Sequence, residues 1–148
     1  MAKIRIIYGS ETGNTKSIAE ELSRLLTAKG HAVQCESAGD TAPQGIGIGF
    51  DIVLLGTSVW GTDEIELQSD FEAFAEDFSI MGLKGVKCAA FASGDISFEH
   101  FCGGVDFIEE HLQSTGAVLA VEGLRLEGDA AGNKGEIAAW VENLVQNL

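Results

Sequence analysis

Three hydroxyl groups, a carboxamide and a glycine lie within six consecutive residues near the amino terminus, Ser10-Glu11-Thr12-Gly13-Asn14-Thr15. The segment separates an apolar run at residues 4–8 from an amphipathic stretch, so it joins a predicted strand to a predicted helix. Backbone N–H groups at a helix N-terminus point outward and, together with hydroxyls, suit a phosphate group. Capping of the helix by Asn14 or Thr15 would account for only one or two of these polar residues. We therefore predict a phosphate-binding turn, which has no Lys or Arg and matches neither a Walker A loop nor the G-x-G-x-x-G motif.

Two further loops, residues 58–63 and 93–102, also follow apolar, strand-like runs. The first contains Trp60 beside Gly61, and the second contains Phe98. An aromatic ring in such a loop could form the wall of a site for a planar ligand, or it could pack on the core. Because ligands of open α/β sheets bind outside the carboxyl ends of the strands, we expect the three loops to form one site.

Alternating strands and helices are predicted to position these loops. Strand-like apolar runs occur at residues 4–8, 32–35, 51–56, 87–92 and 118–121. Apolar residues at helical spacing are Ile18, Leu22, Leu25 and Leu26; Leu67, Phe71, Phe74 and Phe78; Phe101, Val105, Ile108 and Leu112; and Ile137, Val141, Leu144 and Leu148. The glycine-rich stretch 41–50 is expected to be a loop or a short helix. This order predicts an α/β fold, an open, doubly wound parallel sheet with helices on both faces.

The composition is that of one soluble domain over residues 1–148, and it excludes several classes of function. A net charge of −14 with nine basic side chains argues against binding to nucleic acid or to an anionic membrane. No apolar run approaches the ~20 residues of a membrane-spanning helix, and the first residues lack a secretory apolar segment, so we expect a cytoplasmic protein. The three cysteines and three histidines show no metal-ligand spacing, so we expect reduced thiols and no metal site.

In these motifs the chain resembles the flavodoxins, specifically the short-chain type of sulfate-reducing bacteria. The matching segments are Tyr8-Gly9-Ser10-x-Thr12-Gly13-Asn14-Thr15, Leu54-Leu55-Gly56-x-Ser58-x-Trp60-Gly61, Ile65-Glu66-Leu67-Gln68, Ser93-Gly94-Asp95 and Phe101-Cys102-Gly103. The similarity runs from end to end with little need for gaps. It implies five parallel strands in the order 2-1-3-4-5 and one non-covalently bound FMN.

The resemblance also implies roles for individual residues. The phosphate would be bound in the turn at residues 10–15, Trp60 would stack on one face of the isoalloxazine, and main-chain groups around Asp95, His100 and Cys102 would reach the pyrimidine edge. The cofactor-binding residues expected on this basis are Ser10, Glu11, Thr12, Gly13, Asn14, Thr15, Ser58, Val59, Trp60, Gly61, Thr62, Ser93, Gly94, Asp95, Phe98, His100, Phe101 and Cys102.

The implied function is one-electron transfer at low potential, shuttling between the flavin semiquinone and hydroquinone, with basic redox proteins as partners of a monomer. The sequence agrees with a carrier rather than an enzyme, because it shows neither a Ser/Cys–His pair nor a metal-ligand cluster. Gly61 lacks a Cβ, so we expect the Gly61–Thr62 peptide to turn and accept the proton that N5 gains on reduction.

Acidic residues are expected to tune this reduction. The first fifty residues carry no net charge, whereas seven acidic and no basic side chains lie between positions 63 and 77. The run could be a solvated helix face. Near an anionic reduced flavin, however, carboxylates about 10 Å away contribute roughly 0.1–0.5 kcal/mol each, which for the whole run is about 1–3 kcal/mol or roughly 40–130 mV.

Three positions depart from the pattern of the family. Phe98 stands where these flavodoxins usually have a coplanar Tyr, so the ring is retained and the hydroxyl is lost. Thr62 replaces a common acid and removes one charge beside the turning peptide. Glu11 places a carboxylate in the phosphate turn, where it must point to solvent if it is not to repel the phosphate.

Two alternatives compete with the carrier. One is an FMN-dependent NAD(P)H:quinone reductase of the same fold, although no segment is free to form the extra loops of such enzymes. The other is a flavin-free receiver-type module, which would hold Mg²⁺ on paired acids after the first strand, whereas Gly9, Ser10 and Glu11 stand there.

Overall fold

The computed structural model describes residues 2–9, 13–60, 66–67, 71, 74–75, 78–94 and 103–147. The strands are β1 (Lys3–Gly9), β2 (Ala32–Ser37), β3 (Ile52–Trp60), β4 (Glu66–Leu67), β5 (Lys87–Gly94), β6 (Val118–Leu119) and β7 (Leu124–Glu127). Among these residues, the helices with described bounds are α1 (Asn14–Ala28), α2 (Gly103–Ser114) and α3 (Lys134–Gln146), with short 3-10 turns at Ala38–Asp40 and Phe78–Ile80.

The parallel strands form one sheet in the order β2-β1-β3-β5, and both β6 and β7 pair with the outer side of β5. The fifth position of the sheet is therefore occupied by two short segments in succession. The predicted order 2-1-3-4-5 is confirmed, and the predicted strand at 118–121 is shorter than expected and is continued by β7. β4 adds an antiparallel extension to the far end of β3.

The register of the strands brings their carboxyl ends to one level. Gly9 of β1 lies opposite Thr57 of β3, and Ser58 lies opposite Ser93 of β5. Gly94 in turn lies opposite Glu127 of β7. We call this side of the sheet, where β1, β3, β5 and β7 end, the carboxyl edge. The loops that leave it are the three loops singled out in the sequence, together with residues 128–133.

Two apolar cores cover the two faces of the sheet, because successive residues of each strand point to opposite sides. On one face, Ile4, Ile6, Leu54 and Phe91 pack with α1 and α3 through a cluster completed by Ile18, Leu22, Leu26, Ile137, Val141 and Leu144. On the other, Ile7, Val53, Leu55 and Ala90 pack with α2 and the segment before β5 through Phe71, Phe74, Phe78, Val105, Ile108 and Leu112. The predicted helices on both faces are confirmed.

Part of the helix predicted from Leu67 to Phe78 is wrong. Leu67 belongs to β4 and its backbone pairs with Val59, so it is extended rather than helical. Phe71 and Phe74 are helical, and Phe78 begins a 3-10 turn. Residues 41–50 form turns after the 3-10 segment at Ala38–Asp40. Phe101 and Leu148, the ends of two predicted stripes, lie outside the described residues.

The break between β6 and β7 is held by side chains from two helices. The Glu109 carboxylate of α2 accepts the Gly123 N–H at 3.1 Å, and the Trp140 indole of α3 donates to the Glu122 carbonyl at 2.8 Å. A Cβ on Gly123 would lie 2.2 Å from Cγ1 of Val105, so only glycine fits there. Within the described ranges, no helix is both long and apolar enough to cross a membrane.

Candidate functional site

Within the described residues, the buried polar side chains all lie at the carboxyl edge. They are Thr15 and Thr57, both 0% exposed, and Ser93, 3% exposed. Thr57 and Ser93 lie near the ends of the central strands β3 and β5, and Thr15 lies in the first turn of α1. Buried hydroxyl groups are generally hydrogen-bonded. The grouping of these three side chains therefore indicates a polar site at the carboxyl edge, in addition to the apolar packing there.

A side-chain hydrogen bond joins two of these residues across the sheet. Oγ1 of Thr15 lies 3.0 Å from Oγ of Ser93, although 78 residues separate them in sequence. The bond connects the turn predicted to bind phosphate with the end of β5, from which the third predicted loop leaves. The structure therefore brings together the described parts of the first and third loops.

The N-terminus of α1 opens at this edge without a side-chain cap. The N-cap residue is Gly13, whose left-handed φ of 90° favours glycine. The first helical hydrogen bond runs from the N–H of Ser17 to the carbonyl of Gly13, and the first turn has no acidic residue. Capping by Asn14 or Thr15 is thus wrong: Asn14 is already helical, and the Thr15 hydroxyl bonds Ser93. The helix presents its positive end to the carboxyl edge.

A fourth loop, residues 128–133, supports this end of α1 and was not found from the sequence. The Ser17 hydroxyl donates to the carbonyl of Asn14 at 2.7 Å and accepts the N–H of Ala130 at 3.0 Å. The Asn133 amide donates to the carbonyls of Glu127 and Asp129, at 2.7 and 2.8 Å. Thr57 was also missed, although a hydroxyl inside an apolar central strand is a signal that sequence reasoning could have used.

The first three residues of the predicted second loop, 58–60, are strand and not loop, because β3 runs to Trp60. Ser58 pairs in register with Ser93, and Val59 and Trp60 pair with Leu67 and Glu66. The pairing of Trp60 with Glu66 fixes the two ends of the connection 61–65, which contains the Gly61–Thr62 peptide. Gly94, the last described residue before the third loop, pairs with Glu127.

The remaining predicted site residues stay predictions. Those that lie outside the described residues are Ser10, Glu11, Thr12, Gly61, Thr62, Asp95, Phe98, His100, Phe101 and Cys102. The same holds for most of the acidic run, namely Asp63, Glu64, Asp70, Glu72, Glu76 and Asp77.

Two of the three thiols belong to the sheet rather than to the site. Cys88 is buried at the start of β5, and burial raises its thiol pKa to about 12. Cys35 of β2 is partly buried, and burial raises its thiol pKa to about 11. Both are therefore protonated at neutral pH and are poor nucleophiles. The described part of the chain contains no group of three or more His, Cys, Asp or Glu residues that could hold a metal ion.

The chain is similar over its whole length to flavodoxins. The family model described as Flavodoxin matches residues 6–140. The chain is 40% identical to a flavodoxin of Nitratidesulfovibrio vulgaris and 38% identical to one of Maridesulfovibrio salexigens, each over 148 residues and covering 100% of both chains. Oxidised flavodoxin 1 of Bacillus cereus, 25% identical, superposes with a TM-score of 0.88 and 99% coverage of each chain. The fold, the uncapped turn at the carboxyl edge and these likenesses agree that the chain belongs to the flavodoxin family.

Proposed function

We propose that this flavodoxin is a low-potential one-electron carrier that cycles between the two more reduced states of its FMN and exchanges electrons with basic redox proteins. That the protein carries FMN for electron transfer follows from its membership of the flavodoxin family. The observation that supports the proposal best is the N-terminus of α1. It opens at the carboxyl edge through Gly13 and is tied to β5 by the Thr15–Ser93 bond.

The described donors fit the phosphate of FMN. They comprise the backbone N–H groups of the first helical turn, including that of Thr15, and the Asn14 carboxamide, with no carboxylate in that turn. The positive end of the helix favours a dianion at this position, and hydrogen bonds to charged groups contribute about 1.5–3 kcal/mol each. Ser10 and Thr12 are proposed to complete the set. The absence of a basic side chain from residues 10–15 makes phosphate binding depend on dipoles and hydroxyls.

The ring is proposed to lie between the second and third loops. β3 and β5 are adjacent and in register up to Ser58 and Ser93, so the loops that continue from them begin side by side. Trp60 and Phe98 are proposed as the flat walls, and main-chain groups near Asp95, His100 and Cys102 as partners of the pyrimidine edge. When bound, FMN supplies a ring that accepts and releases single electrons. The Gly61–Thr62 peptide is proposed to offer its carbonyl to the proton gained at N5.

The charge of the chain supports the proposed class of partner. The net charge of −14 is carried by residues 51–148, and the run at 63–77 directly follows the loop that holds Trp60 and Gly61. A negative surface beside an exposed redox centre accelerates encounters with basic proteins and repels acidic ones. We therefore expect electron-transfer rates with a basic partner to fall as ionic strength rises.

The test begins with the purified protein. Titration with FMN, FAD and riboflavin is expected to give one tight site for FMN, and a redox titration is expected to give two separated one-electron steps. NADPH and a quinone are added in a separate assay. No binding of FMN would overturn the proposal, and rapid NADPH-dependent quinone reduction would favour the reductase instead.

Replacement of Gly13 by Ala is expected to weaken FMN binding about tenfold or more. A φ of 90° costs a side chain about 1–2 kcal/mol, and relief of that strain would turn the first N–H groups of α1 away from the phosphate. Within the described residues, no atom lies within 4 Å of the added Cβ, so the expected effect is conformational rather than steric. Flavin-fluorescence titration measures the change.

Gly30→Ala is the matched control for this substitution. Gly30 follows the other end of α1 with a φ of 92°, and among the described residues its added Cβ would also have no atom within 4 Å. Both variants should lose about 1–2 kcal/mol of apoprotein stability in urea. Only Gly13→Ala should lose FMN affinity, and equal losses of affinity in the two variants would contradict the role given to the turn.

A further inference from the structure

We propose that Ser93 is a positioning residue that sets the affinity for the phosphate group through Thr15. The inference assumes the proposed function, because it concerns how tightly the FMN phosphate is held. Its basis is the 3.0 Å contact between Oγ1 of Thr15 and Oγ of Ser93, two side chains that are 0% and 3% exposed.

Ser93 is a rigid anchor. It lies in β5, the strand between β3 and β7, and pairs in register with Ser58 on one side and Leu126 on the other. Its neighbours Phe91 and Ala92 are fully buried. The pairing on both sides fixes the backbone of Ser93, so its side chain is held at the carboxyl edge.

Thr15 is the partner on the helix. It is the second residue of α1, in the turn whose N-cap is Gly13 rather than a side chain that could fix the first N–H groups. The bond to Ser93 restrains its χ1 angle and ties the turn to the sheet. Because both hydroxyls are buried, breaking the bond would leave each without that partner in an apolar environment, at a cost greater than that of an exposed hydrogen bond.

The consequence concerns the phosphate and not the ring. The first turn of α1 is the proposed phosphate site, whereas the ring is proposed to lie against Trp60, Phe98 and residues 95–102. Ser93 lies before these residues, and its hydroxyl bonds Thr15 of α1. Loss of the Ser93 hydroxyl should therefore weaken binding of FMN more than binding of riboflavin, which has the same ring and no phosphate. A role limited to folding would change the two affinities by the same factor.

Ser93→Ala tests this on the full-length protein with FMN and riboflavin as probes. The dissociation constant for FMN is expected to rise about five- to tenfold, and that for riboflavin to change less than about twofold. Cys88→Ala is the matched control, because it removes one heavy atom from a buried residue at the opposite end of β5. It should leave the ratio of the two affinities unchanged. An unchanged ratio in Ser93→Ala would overturn the inference.

A double variant tests whether Ser93 acts through Thr15. In the Thr15→Val background, addition of Ser93→Ala is expected to change FMN affinity less than about twofold, and the same five- to tenfold loss in both backgrounds would refute the mechanism. Should Ser93→Ala fail to fold, Ser93→Cys is the second variant, because a thiol is a weaker hydrogen-bonding group than a hydroxyl. It should also lower the affinity for FMN relative to the affinity for riboflavin. A wild-type ratio in that variant would overturn the inference. Failure of the wild-type protein to bind FMN would instead overturn the proposed function.

Discussion

A methyl group at Gly56 is expected to lower the free energy of unfolding by about 3 kcal/mol, a larger loss than at Gly13 or Gly30. Gly56 lies in β3 opposite Phe91 of β5. An added Cβ would lie 2.2, 2.3 and 2.5 Å from three carbons of the Phe91 ring. Phe91 is fully buried in the core that includes α1 and α3, so the ring cannot move aside without displacing them. Urea unfolding of the apoprotein measures the loss.

Two further variants show whether the clash is the cause. Gly135 lies in the first turn of α3, and in the part of the chain that the structure describes no atom lies within 4 Å of an added Cβ, so Gly135→Ala should be neutral or stabilise by up to about 1 kcal/mol. In a Phe91→Leu background, the smaller side chain should let Gly56→Ala cost clearly less than in the wild type. A cost that is the same in both backgrounds, or below about 1 kcal/mol in the wild type, would show that Phe91 does not occupy this space.

The elements that sequence reasoning predicted well are those with strong local patterns. The run at 51–56 is apolar on both faces. This pattern is typical of a strand that is covered on both sides of its sheet, and β3 is indeed central. The stripe that begins at Ile18 ends at a glycine, and α1 is followed by Gly30 with positive φ. In both cases the information lies within a few residues of the element itself.

The elements that sequence reasoning missed depend on distant partners. The spacing of Leu67 and Phe71 fits a helix, but Leu67 pairs with Val59 and is extended. The fifth strand is interrupted where Gly123 packs beneath Val105 of α2 and donates to Glu109. Val105 and Glu109 cannot be recognised as partners of Gly123 from the residues that surround the break, because these contacts form only when α2 packs on the sheet.

The candidate site follows the same division. The residue types in the turn at 10–15 predict phosphate binding, which stays a prediction; in the described part of that turn Gly13 is the N-cap, with no side-chain capping bond. The contact between Thr15 and Ser93 could not be predicted, since it joins residues 78 positions apart. The hydrogen bond from the Ala130 N–H to the Ser17 hydroxyl could not be predicted either, because it depends on the sheet order, which places the loop after β7 near the start of α1.

Neutralising four acidic residues near the proposed ring is expected to raise the lower reduction potential by roughly 20–90 mV at low salt. The variant is Asp63→Asn, Glu64→Gln, Glu66→Gln and Asp95→Asn. Each carboxylate about 10 Å from an anionic ring opposes its formation by roughly 0.1–0.5 kcal/mol, and about 2.3 kcal/mol corresponds to 100 mV for one charge. A spectroelectrochemical titration of the holoprotein measures the shift.

If the shift in potential is electrostatic in origin, it must depend on where the removed charges lie and on the salt concentration. The control variant, Asp51→Asn with Glu142→Gln, removes two charges near the opposite edge of the sheet, because Asp51 precedes β3 and Glu142 lies in the last turns of α3. β3 has nine residues and so spans about 30 Å, well beyond the Debye length of about 8 Å at physiological salt. The control should therefore leave the potential nearly unchanged. If net charge alone mattered, it would shift the potential by half as much as the fourfold variant.

At about 1 M salt, where the Debye length is about 3 Å, the shift of the fourfold variant should largely vanish. A shift that survives such salt would show that these side chains act by contact with the ring or by changing its solvation, and not through their field.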